Sequence, residues 1–155
     1  MDIAIGCDEA ALDLKNIIKQ QLMDLGHHVD DFGVNDHKPV LYPDIAVAVS
    51  QAVADGSHER GILMCGTGIG MAIAANKVPG IRAATCHDSY SAQRARKSNN
   101  AQIMTMGSRV IGIELAINLV DIWLDSDFQG GGSTAKVEKI MTWERDLHAL
   151  HQKEG

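Results

Sequence analysis

Gly61-Ile62-Leu63-Met64-Cys65-Gly66-Thr67-Gly68-Ile69-Gly70-Met71-Ala72-Ile73-Ala74-Ala75-Asn76-Lys77 is an apolar run that stops on a thiol, passes through three alternating glycines and resumes as a small-residue helical pattern. It reads as a buried strand, a tight turn and the opening of a helix. At such a junction, unpaired backbone N–H groups and aligned peptide dipoles favour thiolate over thiol at Cys65. The same N–H groups suit a phosphate or an enediolate oxygen. The glycines are needed for the turn in any case.

Working outward, Asp2–Cys7, His28–Phe32, Arg82–Cys86 and Ile103–Met106 read as further strands beside Gly61–Cys65. Leu12, Ile17, Ile18, Leu22 and Leu25 recur at helical spacing after Asp8, and Ile45, Val47, Val49 and Val53 do so after Tyr42-Pro43-Asp44. Two more helices are expected, from about Glu114 to Leu124 and from about Ser133 to His151, separated by Gly130-Gly131-Gly132. The repeated β-α order predicts an α/β fold: a Rossmann-like three-layer sandwich with a five-stranded parallel sheet and an extra C-terminal helix. Residues 1–155 are expected to form one domain. The last helix, 133–152, either covers its own sheet or packs on a partner subunit.

In an open parallel sheet the carboxyl ends of the strands line the ligand crevice. Cys7, Cys65, Cys86 and Thr105 fall at or near such ends, so Asp8-Glu9, Gly66 to Gly70, His87-Asp88 and Gly107-Ser108-Arg109 are the favoured site candidates.

The chain has 155 residues, 45% hydrophobic but only 4% aromatic, enough for one aliphatic core. A formal charge of −6 supplies no basic face for nucleic acid or an anionic membrane, so small molecules and protein are the expected partners. Met1–Gly6 shows no basic and apolar succession of a signal peptide, and no apolar run suits a membrane span. Three cysteines without metal-type spacing suit reduced thiols in a cytoplasmic protein.

Each candidate has a plainer alternative. Gly66-x-Gly68-x-Gly70 differs from a dinucleotide fingerprint in spacing and follows the third strand, so a Rossmann cofactor is disfavoured. Asp8 caps the next helix or accepts substrate hydroxyls. Glu9 favours the helix dipole or repels a phosphate. His87-Asp88 either orients a substrate or is structural, and a zinc site of Cys65, Cys86 and His87 lacks an evident fourth ligand.

Gly6-Cys7-Asp8, Tyr42-Pro43, Cys65-Gly66-Thr67-Gly68-Ile69-Gly70 with Ala74-Ala75-Asn76-Lys77, Gly80-Ile81-Arg82-Ala83, Tyr90-Ser91-Ala92, Asn99-Asn100 and Gly107-Ser108-Arg109-Val110-Ile111-Gly112 together resemble ribose-5-phosphate isomerase B and the galactose-6-phosphate isomerase subunits. The resemblance covers nearly the whole chain. It implies a dimer with active sites shared between subunits, and aldose–ketose isomerisation of a sugar phosphate with neither metal nor cofactor. It implies that Cys65 is the base, acting through a cis-enediolate with Thr67 and the glycine-loop amides. Substrate contacts are then expected from Asp8, Tyr42, Gly66, Gly68, Ile69, Gly70, Asn99, Arg109 and Lys136, with Glu9 and Ser98 as further candidates.

The departures from that pattern are as informative. Glu9 stands where the family has histidine, Ser98 where it has a ring-opening histidine, and Gly132 and Lys136 where it has two phosphate-gripping arginines. Lysine does not replace a bidentate arginine, and serine does not shuttle a proton near neutrality. Ribose 5-phosphate is the default substrate by resemblance. A tetrulose 4-phosphate suits the changes, because its ring-forming hydroxyl carries the phosphate. Alternatives are the cysteine-bearing subunit of a hetero-oligomer, and a non-catalytic sugar-binding protein. The expected assembly is a homodimer or a dimer of dimers.

Overall fold

The computed structural model describes residues 1–153. Five strands form one parallel sheet in the order β2-β1-β3-β5-β4: β1 (Asp2–Cys7), β2 (His28–Asp31), β3 (Arg60–Cys65), β4 (Ala83–Thr85) and β5 (Ile103–Gly107). The three central strands, β1, β3 and β5, are apolar runs, and almost every residue in them is buried. Such runs are what a sheet covered on both faces requires.

The helices α1 (Leu12–Asp24), α2 (Tyr42–Ala54), α3 (Ile69–Ala75), α4 (Ser89–Lys97) and α5 (Ile113–Leu124) supply the cover. One core layer joins α1, α4 and α5 to the sheet through Leu14, Ile18, Ala92, Leu119 and the fully buried Trp123. The other joins α2 and α3 through Val49, Val53, Met71 and Ala75. Each fully buried aliphatic side chain contributes about 1.5–3 kcal/mol relative to exposure. Helix α6 (Thr134–Lys153) follows a 3-10 turn at Gly131–Ser133 and seats Val137 against the body.

The fold class read from the sequence holds, with three differences in detail. Strand β4 is trimmed to three residues, and α3 runs for only seven. Helix α4 shows no wide apolar stripe: its buried residues are Ala92, Ala95 and Arg96, so hydrophobic periodicity does not announce it.

Charge is buried at one place that matters for the crevice. Lys15 on α1 has no exposed side-chain surface; its Nζ donates to both Asp31 oxygens at 2.8 Å and to the Val34 carbonyl. Burial by itself raises the Asp31 carboxyl, but the bonds from Lys15, the Gly33 N–H and Lys19 outweigh it and hold it below the usual range. This knot fixes the chain after β2, where the Gly33 carbonyl accepts the Cys7 N–H at 2.7 Å. The mouth of β1 is thereby held.

Candidate active site

Parallel strands place their carboxyl ends together, and the chain reverses its lateral direction between β1 and β3. The crevice beyond that switch point is where an open α/β sheet binds ligands. Cys65 ends β3 there and is 5% exposed. The turn after it brings the Gly68 N–H to within 3.1 Å of Cys65 Sγ, where it donates to the sulfur and stabilises negative charge on it. Because α3 is short, this support comes from the loop amides more than from a long helix dipole.

The loop is tightly determined. Gly68 has φ +77°, and a Cβ there would lie 2.8–2.9 Å from backbone atoms of Met106. The Thr105 hydroxyl donates to the Gly68 carbonyl at 2.8 Å, and Thr85 lies 2.9 Å from Thr105 Oγ1. Thr67 is exposed on the crevice side, its hydroxyl accepting the Ile69 N–H at 3.3 Å. Gly70 leaves room for the Tyr42 ring, which occupies the place its Cβ would need.

A second turn lies against the first. Ser108 N–H donates to the Cys65 carbonyl at 2.9 Å and Arg109 N–H to the Gly66 carbonyl at 3.0 Å. The Arg109 guanidinium lies over Gly66, where a Cβ would sit 3.3 Å from Nη1. Asp8 meets this corner from β1: its N–H donates to the Met64 carbonyl at 3.2 Å, and its Oδ1 accepts the Ala10 N–H at 3.0 Å as an N-cap. Burial pushes the Asp8 carboxyl up, against the lowering by the Ala10 amide. Glu9 lies in the first turn of the short helix Glu9–Ala11, as expected of a charge that favours the helix dipole, and its Oε2 also accepts the Val40 N–H at 3.3 Å and so ties down the segment leading to Tyr42. A cleft of about 470 Å³ opens beside this corner, between Asp13 and Leu14 on one side and Arg109 and Ile113 on the other. Cys65 itself is not part of that cleft's lining.

The structure gathers Cys65, Thr67, Gly66, Gly68, Ile69, Gly70, Asp8, Glu9, Tyr42 and Arg109 at the carboxyl end of the sheet. It does not bring Ser98, Asn99 or Lys136 to them. Helix α4 leaves the carboxyl end of β4 and runs back, so Ser98 and Asn99 follow it at the opposite end. Arg82, at the start of β4, donates from Nε to the Asn99 carbonyl at 3.2 Å and to the Asn100 carbonyl at 3.1 Å. Lys136 lies in the first turns of α6, whose Met141 sulfur accepts from the same Arg82 at 2.9 Å. Within one chain these residues cannot meet Cys65.

Among the three cysteines, burial pushes Cys7 up to about 11 and Cys86 up to about 12, so both are inert thiols at neutral pH. His87 Nε2 is taken by the Gly107 N–H at 2.9 Å, which leaves that nitrogen unfit for the zinc alternative. Sequence reasoning passed over Thr85 as a support of the loop and left His87 open between orienting a substrate and a structural place, the second of which its bond to Gly107 gives it. Position at strand ends was the available signal; the bonds themselves depend on β4 pairing with β5.

Residues 3–140 match the family model described as Ribose/Galactose Isomerase. The chain is 58% identical over 145 residues to a D-erythrulose-4-phosphate isomerase of Pectobacterium atrosepticum, covering 93% of this chain and 95% of that protein. It is also 58% identical over 138 residues to a ribose-5-P isomerase B of Listeria innocua, covering 89% and 93%. Among solved structures, ribose-5-phosphate isomerase B of Clostridium thermocellum superposes with a TM-score of 0.93 at 46% identity, covering 95% of this chain and 99% of that one.

Proposed function

We propose, from the premise that this chain belongs to the ribose/galactose isomerase family and is an aldose–ketose isomerase of the ribose-5-phosphate isomerase B type, that Cys65 is its base and a short open-chain sugar phosphate its substrate. The observation that carries the assignment is the Gly68 N–H aimed at Cys65 Sγ at 3.1 Å. The thiolate removes the proton from C2 of the aldose; the C–H electron pair forms the C1–C2 double bond and the carbonyl electrons move to O1. The cis-enediolate oxygen is met by loop N–H groups and the Thr67 hydroxyl. The thiol then returns the proton to C1 while the O2 proton passes to O1, so that C2 becomes the carbonyl of the ketose. Arg109 holds the phosphate, and Asp8 and Tyr42 receive hydroxyls.

A tetrulose 4-phosphate suits this site. Its ring-closing hydroxyl is esterified, so no imidazole is needed at position 98, and the relative of Pectobacterium atrosepticum is named for D-erythrulose 4-phosphate. Ribose 5-phosphate is the second substrate reading, favoured by the relative of Listeria innocua.

A complete site takes a second copy of the single-domain chain, and a homodimer is the simplest assembly. Two observations support this. Ser98, Asn99 and Lys136 lie at the opposite pole from Cys65. Helix α6 exposes Ile140, Trp143, Leu147 and Leu150 along one face, Trp143 at 55%. Unpaired thiols at all three cysteines support a reducing, cytoplasmic setting.

The test is to assay the purified chain with D-erythrulose 4-phosphate and ribulose 5-phosphate, beside Cys65→Ala. Higher kcat/KM for the tetrulose and loss of turnover in the variant are expected; full turnover in Cys65→Ala overturns the assignment of the base. Mixing inactive Cys65→Ala with an inactive Asn99→Ala, Lys136→Ala double variant should restore about a quarter of wild-type activity through hybrid dimers. No recovery after exchange of subunits counts against the shared site.

A further inference from the structure

We propose that His87 is a positioning residue for the isomerisation: its ring accepts the Gly107 N–H, holds the strand end on which the Cys65 loop is built, and by its protonation adds a second loss of turnover at low pH to the one that protonation of the base itself imposes. This rests on Cys65 being the base.

Gly107 is the register partner of Cys65 across β3 and β5. There is no slack between it and the loop: a Cβ on Gly107 would lie 2.6 Å from Thr67 Cα and 2.8 Å from the Gly66 carbonyl oxygen. The next two amides, of Ser108 and Arg109, hold the carbonyls of Cys65 and Gly66. A displacement of the Gly107 peptide is therefore passed to the atoms around the sulfur, where a fraction of an ångström matters. The 2.9 Å bond from Gly107 N–H to His87 Nε2 fixes that peptide from the side of β4. It requires the neutral ring with its proton on Nδ1; an imidazolium has two N–H groups and no lone pair to offer.

The surroundings favour the neutral ring. Burial lowers the His87 pKa below the ordinary histidine value, and Asp88 opposes this to a smaller degree. Asp88 is itself engaged by the Ser91 N–H and hydroxyl, both at 2.7 Å. From β5 the ring meets the Gly107 peptide, and Asp88 is the charged group that acts on it. As pH falls, protonation removes the acceptor and loosens the loop.

The experiment compares kcat and KM against pH for the full chain, His87→Gln, His87→Ala and Thr105→Val. The amide oxygen of glutamine accepts the Gly107 N–H without titrating, so His87→Gln should keep kcat near pH 8 and show a shallower acid limb, with the slope of one proton where the full chain falls more steeply. His87→Ala should lose about tenfold in kcat across the range with KM little changed, as expected for a lost buried acceptor beside the reacting centre. Thr105→Val, which loosens the same loop without touching a titrating group, should keep the wild-type acid limb. Nitrogen-15 spectra of the His87 ring at pH 8 should show Nε2 unprotonated. An acid limb in His87→Gln identical to wild type, or a proton on Nε2 at pH 8, overturns the proposal. The ring spectrum does not depend on which group is the base, whereas turnover in Cys65→Ala tests that assignment alone.

Discussion

Replacing Gly68 by alanine tests how much of the site depends on one backbone position. The residue sits at φ +77°, where an L side chain costs about 1 kcal/mol. A Cβ there also meets three backbone atoms of Met106 at 2.8–2.9 Å. Met106 lies inside β5, paired with β3 on one side, so it cannot retreat and the loop must shift instead. Overpacking of this kind adds about 2 kcal/mol. The total of about 3 kcal/mol corresponds to a fall in Tm of roughly 6–12 °C for a domain of this size. The same shift carries the Gly68 N–H away from Cys65 Sγ, with an expected loss of about 100-fold in kcat. Gly26→Ala is the matched control: its φ is +84°, but nothing lies within 4 Å of the added Cβ. It should cost about 1 kcal/mol, roughly 2–4 °C, with turnover unchanged. Thermal unfolding and initial rates of the two variants decide the matter. If Gly68→Ala loses no more stability than Gly26→Ala and turns over normally, the tight contact with β5 is not what shapes the loop.

Three further outcomes are expected. Alkylation of the folded protein at pH 8 followed by peptide mapping should label Cys65 first, since burial holds Cys7 at about 11 and Cys86 at about 12; early labelling of Cys86 contradicts this. Arg109→Lys should raise KM for the phosphorylated substrate at least about tenfold while kcat changes little, because a single ammonium cannot reproduce a bidentate grip; an unchanged KM removes Arg109 from the phosphate. Asp31→Asn should cost about 3 kcal/mol at pH 7 in urea titrations, by leaving the buried Lys15 unpaired. Because the folded Asp31 carboxyl is held below its unfolded value, its stabilisation is present above about pH 4 and is lost as pH falls below it; the difference between wild type and variant should therefore shrink at pH 3.

Local patterns that coincide with local structure were legible. The aliphatic runs of β1, β3 and β5 are buried on both faces, and both ends of Cys65-Gly66-Thr67-Gly68-Ile69-Gly70 behave as a strand-to-helix turn. Asp8 as a cap follows from its type and its place before a helix. Helix α4 was obscure because it buries two alanines and an arginine stem, a stripe too small for periodicity to reveal. The role of Glu9 was open because its partner, Val40, is 31 positions away.

By itself the sequence determined the local arrangement around Cys65, since thiol, glycines and loop amides are contiguous and a strand must deliver them together. It also identified, from position alone, the ends of the other strands as neighbours. Only the tertiary structure decided which of the remaining candidates share that neighbourhood. Asp8, Tyr42 and Arg109 do, because parallel strands bring their exits to one edge. Ser98, Asn99 and Lys136 do not, because α4 runs antiparallel to the sheet and returns the chain to the far edge before β5 begins. A list of residues carries no direction along the sheet, and that direction is what separates the two halves of the candidate site.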